Sequence, residues 1–118
     1  MSCLFNSLQY FIKNKNSHEI RNIICDYLEN NNKVIEDIDT LSILKMENKN
    51  YIRNMRKTST WGGAIEIQAA CNIWKFKIIV HNIRESNGRT IEFIPLNKNF
   101  NKIIHITWNG GHYEPIRK

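Results

Sequence analysis

The 118-residue chain predicts an α+β domain, with N-terminal helices packed on a small, mostly antiparallel sheet. Three observations predict it. Apolar residues recur at helical spacing as far as Trp74, and runs rich in Ile and Phe take over from Phe76. Between two of those runs stands Asn87-Gly88, the strongest short-range hairpin signal in the chain.

Leu4, Phe5, Leu8, Phe11 and Ile12 share one helical face, so a first helix starts at or next to Cys3 and is broken by Asn14 to Asn16. Asn16 followed by Glu19 is a capping-box variant that opens a second helix, which buries Ile20, Ile23, Ile24, Tyr27 and Leu28. Asn30 to Lys33 form a polar loop. Val34, Ile35, Ile38 and Leu41 then suit a further helix, and Tyr51, Ile52 and Met55 another turn or two. Thr58-Ser59-Thr60 supplies cap-type residues before Trp61-Gly62-Gly63. The helix that follows, carrying Ala64, Ile65, Ile67, Ala69, Ala70 and Ile73, is apolar on too many sides to face solvent and is expected at the centre of the packing. Strands are expected over Phe76 to Ile83, Thr90 to Ile94 (stopped by Pro95), Ile103 to Trp108, and Tyr113 to Ile116 after a Gly110-Gly111 turn.

Composition narrows the class. A chain of this length, 42% hydrophobic and 24% charged, is expected to form one domain, residues 1–118, with a core that needs neither metal nor disulfide. No apolar run approaches the roughly 20 residues that cross a bilayer. Met1 to Asn6 show no basic n-region or sustained apolar h-region, so no secretory signal is expected. Cys3, Cys25 and Cys71 are odd in number and irregularly spaced, which fits a reducing cytoplasmic or nuclear compartment. No Cys-x-x-Cys or His-x-x-x-His pair exists to seed a zinc site. The net charge of +6 permits attraction to nucleic acid or acidic proteins, but the basic residues are scattered along the sequence, the densest group being Arg53, Arg56 and Lys57. The abundance of Lys, Asn and Ile fits an AT-rich coding genome.

The chemistry lies at the two ends. Cys3 opens a helix, where unpaired N–H groups and the positive end of the helix dipole favour a thiolate. Cys25 and Cys71 lie within apolar helical stretches and read as small buried residues. A thiol needs a neighbouring base, and imidazole is the usual one. His112 follows Gly110-Gly111, which lets the backbone turn tightly and an extended substrate approach. Glu114, two residues on, shares a strand face with His112 and is placed to accept from its far ring nitrogen, although alone it would read as a surface carboxylate. His81 and His105 fall within strands as packed or edge residues, and His18 lies exposed near a helix start.

These residues carry a resemblance. Cys3-Leu4-Phe5, Tyr51-Ile52-Arg53-Asn54-Met55, Thr60-Trp61-Gly62-Gly63-Ala64-Ile65-Glu66-Ile67 and a closing Gly111-His112-Tyr113, in that order, resemble the OTU (ovarian tumour) family of cysteine deubiquitinases from Cys3 to Ile116. The resemblance implies a papain-like fold and mechanism. Cys3 is then the nucleophile on the isopeptide bond of a ubiquitin or ubiquitin-like conjugate, and His112 the general base and acid. Glu114 orients the histidine, and the Cys3 N–H donates to the oxyanion. Gly110 and Gly111 border the channel for the diglycine tail, while Trp61 to Glu66 serve packing and the helix start. It implies no cofactor, no metal, no membrane and a monomer. A domain of this size suits a viral or bacterial-effector enzyme acting in a host cell.

Two positions depart from the family pattern. Met1-Ser2 stands where Asp-Gly-Asn or Asp-Gly-Asp usually precedes the cysteine, and Glu114 stands where Asp or Asn is more frequent. The first leaves open a truncated chain, one that relies on Ser2 and Glu114 instead, or a module that binds ubiquitin without cleaving it. A small basic nucleic-acid-binding domain is a third reading. It requires a clustered basic face with interleaved aromatics, which the linear sequence does not display.

Overall fold

The computed structural model describes residues 3–84 and 88–117. Helix α1, Cys3–Phe11, buries Leu4, Phe5, Ser7 and Leu8. Asn14, with a left-handed φ of 68°, ends the turn after it. The capping box at α2, Ser17–Glu29, forms as the spacing predicts: Glu19 N donates to Asn16 Oδ1 at 2.8 Å, and Asn16 N to Glu19 Oε1 at 3.0 Å. Ile20, Ile24 and Leu28 are buried, while Ile23 and Tyr27 are only half-buried. Arg21 and Cys25 take the interior places instead.

The expected helix from Val34 to Leu41 does not form. Residues 34–39 are turns and bends, and α3 spans Thr40–Glu47. Asp37 is left-handed (φ 66°), which a helix interior excludes. Asp39 caps α3 through Ser42 N (3.1 Å) and is held by Asn31 Nδ2 (2.6 Å), whose own Oδ1 accepts from Leu41 N (2.9 Å). The polar loop therefore fixes where the helix starts. A short α4, Tyr51–Met55, follows.

Helix α5, Ala64–Trp74, is the central helix, with Ile67, Ala69, Ala70 and Cys71 buried against α2 and the sheet. Thr58-Ser59-Thr60 does not cap it. Thr60 turns its hydroxyl to the Asn54 carbonyl, and the cap is Gly63, whose N–H donates to Glu66 Oε1 at 2.7 Å.

Strands β1 (Phe76–Asn82), β2 (Thr90–Phe93), β3 (Lys102–Trp108) and β4 (Tyr113–Pro115) form one sheet in the order β2-β1-β3-β4. Asn87 of the expected hairpin turn lies outside the described residues. The β1–β2 and β3–β4 pairings are antiparallel, but the central β1–β3 pairing is parallel, with Phe76 opposite Lys102 and Asn82 opposite Trp108. The sheet is thus mixed. The hairpin fills one edge of β1, and residues 94–101 carry the chain back to the start of the other. Asn101 N donates there to the Lys75 carbonyl (2.8 Å) and sets the register. Alternation is clear in β1 and β3: Ile78, Val80, Ile104 and Ile106 face the helices, while Lys77, Ile79, His81, Ile103 and His105 point to the other side. Among the described residues no helix is long and apolar enough to cross a membrane.

Candidate active site

The turn that presents His112 is built by its own backbone. Asn109 Oδ1 accepts from Gly111 N (3.1 Å) and His112 N (2.9 Å), and Asn109 N donates to the His112 carbonyl (3.2 Å). Gly110 adopts φ +104°, which an L side chain resists, and a Cβ there would lie 3.1 Å from Arg84 Cδ. A Cβ on Gly111 would lie 3.3 Å from the six-membered ring of Trp61. Arg84 and Trp61 therefore pack directly on the two glycines, and Trp61 is itself half-exposed. Beyond the turn, His112 and Glu114 are solvent-exposed and joined by Nε2···Oε1 at 3.2 Å. With Nε2 as donor to the carboxylate, Nδ1 is left as the basic nitrogen.

Cys3 is the first residue of α1 and is partly exposed. The helix runs beside β4. At its far end, Tyr10 lies 5.3 Å from the Arg117 guanidinium and lines a cleft with Ile116. At its near end, Cys3 acts electrostatically on Tyr113, the neighbour of His112. Burial first, then electrostatic coupling to Cys3 and Glu66, pushes the Tyr113 hydroxyl above its ordinary pKa. Leu4 and Phe5, just after Cys3, meet Gly62 while the neighbouring Trp61 packs on Gly111, which sets the start of α1 toward the His112 turn. Burial also marks the two interior cysteines. It pushes Cys25 up to about 11 and Cys71 up to about 12, so both are neutral thiols at neutral pH.

The segment Trp61-Gly62-Gly63 fixes the approach of α1. A Cβ on Gly62 would come 2.7 Å from Leu4 Cδ2 and 3.1 Å from the Phe5 ring, so glycine lets the two segments meet without displacing these buried side chains. Phe5 is clamped from another side by the buried Arg21 guanidinium, 4.3 Å from its ring centroid. Arg21 in turn donates to the Met55 carbonyl at 2.6 Å. Glu66, also buried, takes Tyr51 Oη (2.6 Å) and Gly63 N (2.7 Å). The remaining histidines are occupied elsewhere: His81 Nε2 and His105 Nδ1 share a hydrogen bond of 2.9 Å, and His18 contacts Asn22.

Sequence reasoning missed Asn109, Arg84 and the contact of Trp61 with Gly111. For Asn109 a signal exists, because an Asx side chain characteristically accepts from N–H groups two and three residues on.

The chain matches the OTU-like cysteine protease family over residues 2–113. It is 32% identical to ubiquitin thioesterase OTU1 of Saccharomyces cerevisiae over 116 residues, covering 98% of this chain and 36% of that protein. The corresponding protein of Drosophila pseudoobscura pseudoobscura is 28% identical over 119 residues, with 98% and 31% covered. This chain thus spans about a third of the length of these relatives. A solved ovarian tumour domain in complex with ubiquitin superposes with a TM-score of 0.75 at 30% identity, over 97% of this chain and 62% of that one. The viral OTU domain protease of Dera Ghazi Khan virus, 19% identical, shares the fold with a TM-score of 0.72 over 97% of this chain and 72% of its own. On a match that runs from the start of α1 to the first residue of β4, the chain belongs to the OTU-like cysteine proteases.

Proposed function

We propose that residues 1–118 form one thiol-dependent hydrolase domain that cleaves the isopeptide bond between the C-terminal glycine of ubiquitin and a lysine amine. Family membership and the likeness to an ubiquitin-bound OTU domain support the substrate. The observation that carries the chemistry is the His112–Glu114 hydrogen bond through Nε2, beside a helix that starts at Cys3.

In this reading the Cys3 thiol gives its proton to His112 Nδ1 as Sγ attacks the carbonyl carbon. The oxyanion is stabilised by the Cys3 N–H at the helix start, a donor of a kind worth about 3 kcal/mol. Imidazolium returns the proton to the departing amine, and water then hydrolyses the thioester. Glu114 holds the imidazole with Nδ1 unprotonated and stabilises the cation. Gly110 and Gly111, with no side chains, leave room for the diglycine tail along the turn. A cytoplasmic or nuclear setting belongs to the same proposal and is supported by three unpaired cysteines. A viral or bacterial-effector source rests on size and composition alone.

The test is a ubiquitin probe with a thiol-reactive C-terminal warhead. The parent is expected to form a covalent adduct that Cys3→Ala abolishes and His112→Ala slows. A folded parent that binds ubiquitin without labelling would instead be a non-catalytic module, and the reading would be wrong.

A further inference from the structure

The strand-bearing half of the chain holds most of the net charge. From Lys75 to Lys118 there are eight Lys and Arg against three Glu, so the strand-bearing half carries five of the six net positive charges. The described cations of this half include three that lie over aromatic rings at one end of the sheet. Arg117 stands 5.3 Å from the Tyr10 ring, Lys102 stands 5.8 Å from Phe11, and Lys77 stands 5.8 Å from Phe100. Lys102 also reaches Phe76, its register partner on β1, at 5.9 Å. The Arg117 and Lys102 groups adjoin, because Tyr10 meets Phe11 edge to face (4.9 Å), whereas Lys77 shares the opposite side of the sheet with Ile103. Tyr10, Phe100 and Ile103 are all substantially exposed. Between α1 and β3 the same residues open a cleft of about 360 Å³, lined by Tyr10, Phe11, Lys102, Ile103, His105 and Ile116. None of the lining residues is acidic. Lys77 is partly neutralised by Glu92 at 3.1 Å, so Lys102 and Arg117 dominate.

We propose that this face is a second binding surface, for single-stranded nucleic acid. Lys102 and Arg117 supply positive charge beside the half-exposed Tyr10 ring, a pairing that matches a phosphate joined to a base. A carboxylate side chain would use the charge and waste the rings. The face is also remote from the candidate active site: His112 lies by Trp108, and Lys102 is at the opposite end of β3.

The experiment is fluorescence anisotropy of a labelled uridine oligomer of about 12 nucleotides with the whole protein, its Lys102→Glu and Tyr10→Ala variants, and His112→Ala as a control. Binding is expected to weaken steeply between about 50 and 200 mM salt. Tyr10→Ala should weaken it roughly 5- to 100-fold, the range for losing one stacked base. Lys102→Glu should weaken it and flatten the salt dependence, and His112→Ala should leave it unchanged. Circular dichroism confirms that the variants fold. Absence of binding at low salt, or equal binding by parent, Lys102→Glu and Tyr10→Ala, overturns the proposal. So does displacement of the oligomer by polyglutamate as effectively as by unlabelled oligomer, which would make this a surface for acidic protein segments. None of these readings depends on hydrolytic activity, so the two proposals stand or fall separately.

Discussion

Replacing Asn109 by alanine removes the acceptor that shapes the turn before His112 while touching neither the thiol nor the imidazole. Asn109 Oδ1 takes two backbone N–H groups, from Gly111 at 3.1 Å and His112 at 2.9 Å. Each such bond is worth about 0.5 to 1.5 kcal/mol net, and the pair sits in an exposed turn where water competes, so the lower half of the summed range applies. About 1.4 kcal/mol of lost preorganisation corresponds to a roughly tenfold fall in kcat. The assay is steady-state release of a fluorogenic amine from the C-terminus of ubiquitin. Asn109→Ala should lower kcat with KM little changed, because the turn orients the imidazole and does not bind the folded part of ubiquitin. Asn109→Asp, which keeps the oxygen acceptor, should recover most of the rate. The melting temperature should barely move, since the two bonds lie at the surface. If Asn109→Asp is as slow as Asn109→Ala, or if the lost rate tracks lost stability, the acceptor is not what places His112.

Gly62→Ala places a Cβ 2.7 Å from Leu4 Cδ2, and overpacking of this kind costs about 1 to 3 kcal/mol. Thermal unfolding should report that loss, and probe labelling should slow further because the displaced helix carries Cys3; full activity with a lowered melting temperature would uncouple the two. Glu66 gives a pH-dependent prediction. Burial holds its carboxyl above the ordinary 4.5, although Tyr51, Gly63 and Arg21 oppose the shift. The folded state therefore keeps a proton that the unfolded chain releases, and this contribution to stability is complete below about 4.5 and lost as pH rises through the folded-state value. Urea unfolding across this window should show the decline in the parent and a flatter profile in Glu66→Gln; parallel profiles would mean that Glu66 is already ionised at the acidic end.

Where local spacing decides structure, the sequence was legible. Helix α1, the Asn16–Glu19 box and all four strands follow from residues within one turn or one alternation of each other. Val34, Ile35, Ile38 and Leu41 also satisfy helical spacing, yet residues 34–39 turn, because Asn31 and Asp39 stop the helix from across the loop. Apolar period carries no information about such a polar clasp. The parallel β1–β3 ladder was equally out of reach, since it depends on which edge of β1 the returning chain occupies. The proposed pairing of Cys3 with His112 rests on chemistry and family resemblance; no local pattern links the two ends of a chain. Asn109 was visible as a turn residue, but its work on His112 needs the geometry of the turn.

The segment in the middle of the chain explains how the two ends are brought into one place. Gly62 lies against Leu4 and Phe5, the residues that follow the candidate nucleophile. One residue earlier, Trp61 lies against Gly111, the residue that precedes the candidate base. One residue later, the Gly63 N–H is held by Glu66, whose other oxygen takes the Tyr51 hydroxyl. The strap is therefore anchored below in a buried polar network and touches both halves of the site above. Two neighbouring residues set two distances at once, so a shift in either moves Cys3 relative to His112. Hydrophobic burial alone would tolerate a displacement of α1 along β4, because Leu4, Phe5 and Leu8 would find other apolar neighbours. The close approach of Gly62 to Leu4 and Phe5 and the anchored strap resist it. This is the physical content of Trp61-Gly62-Gly63 followed by Glu66: a core motif whose packing tolerance is also the positional tolerance of the proposed chemistry.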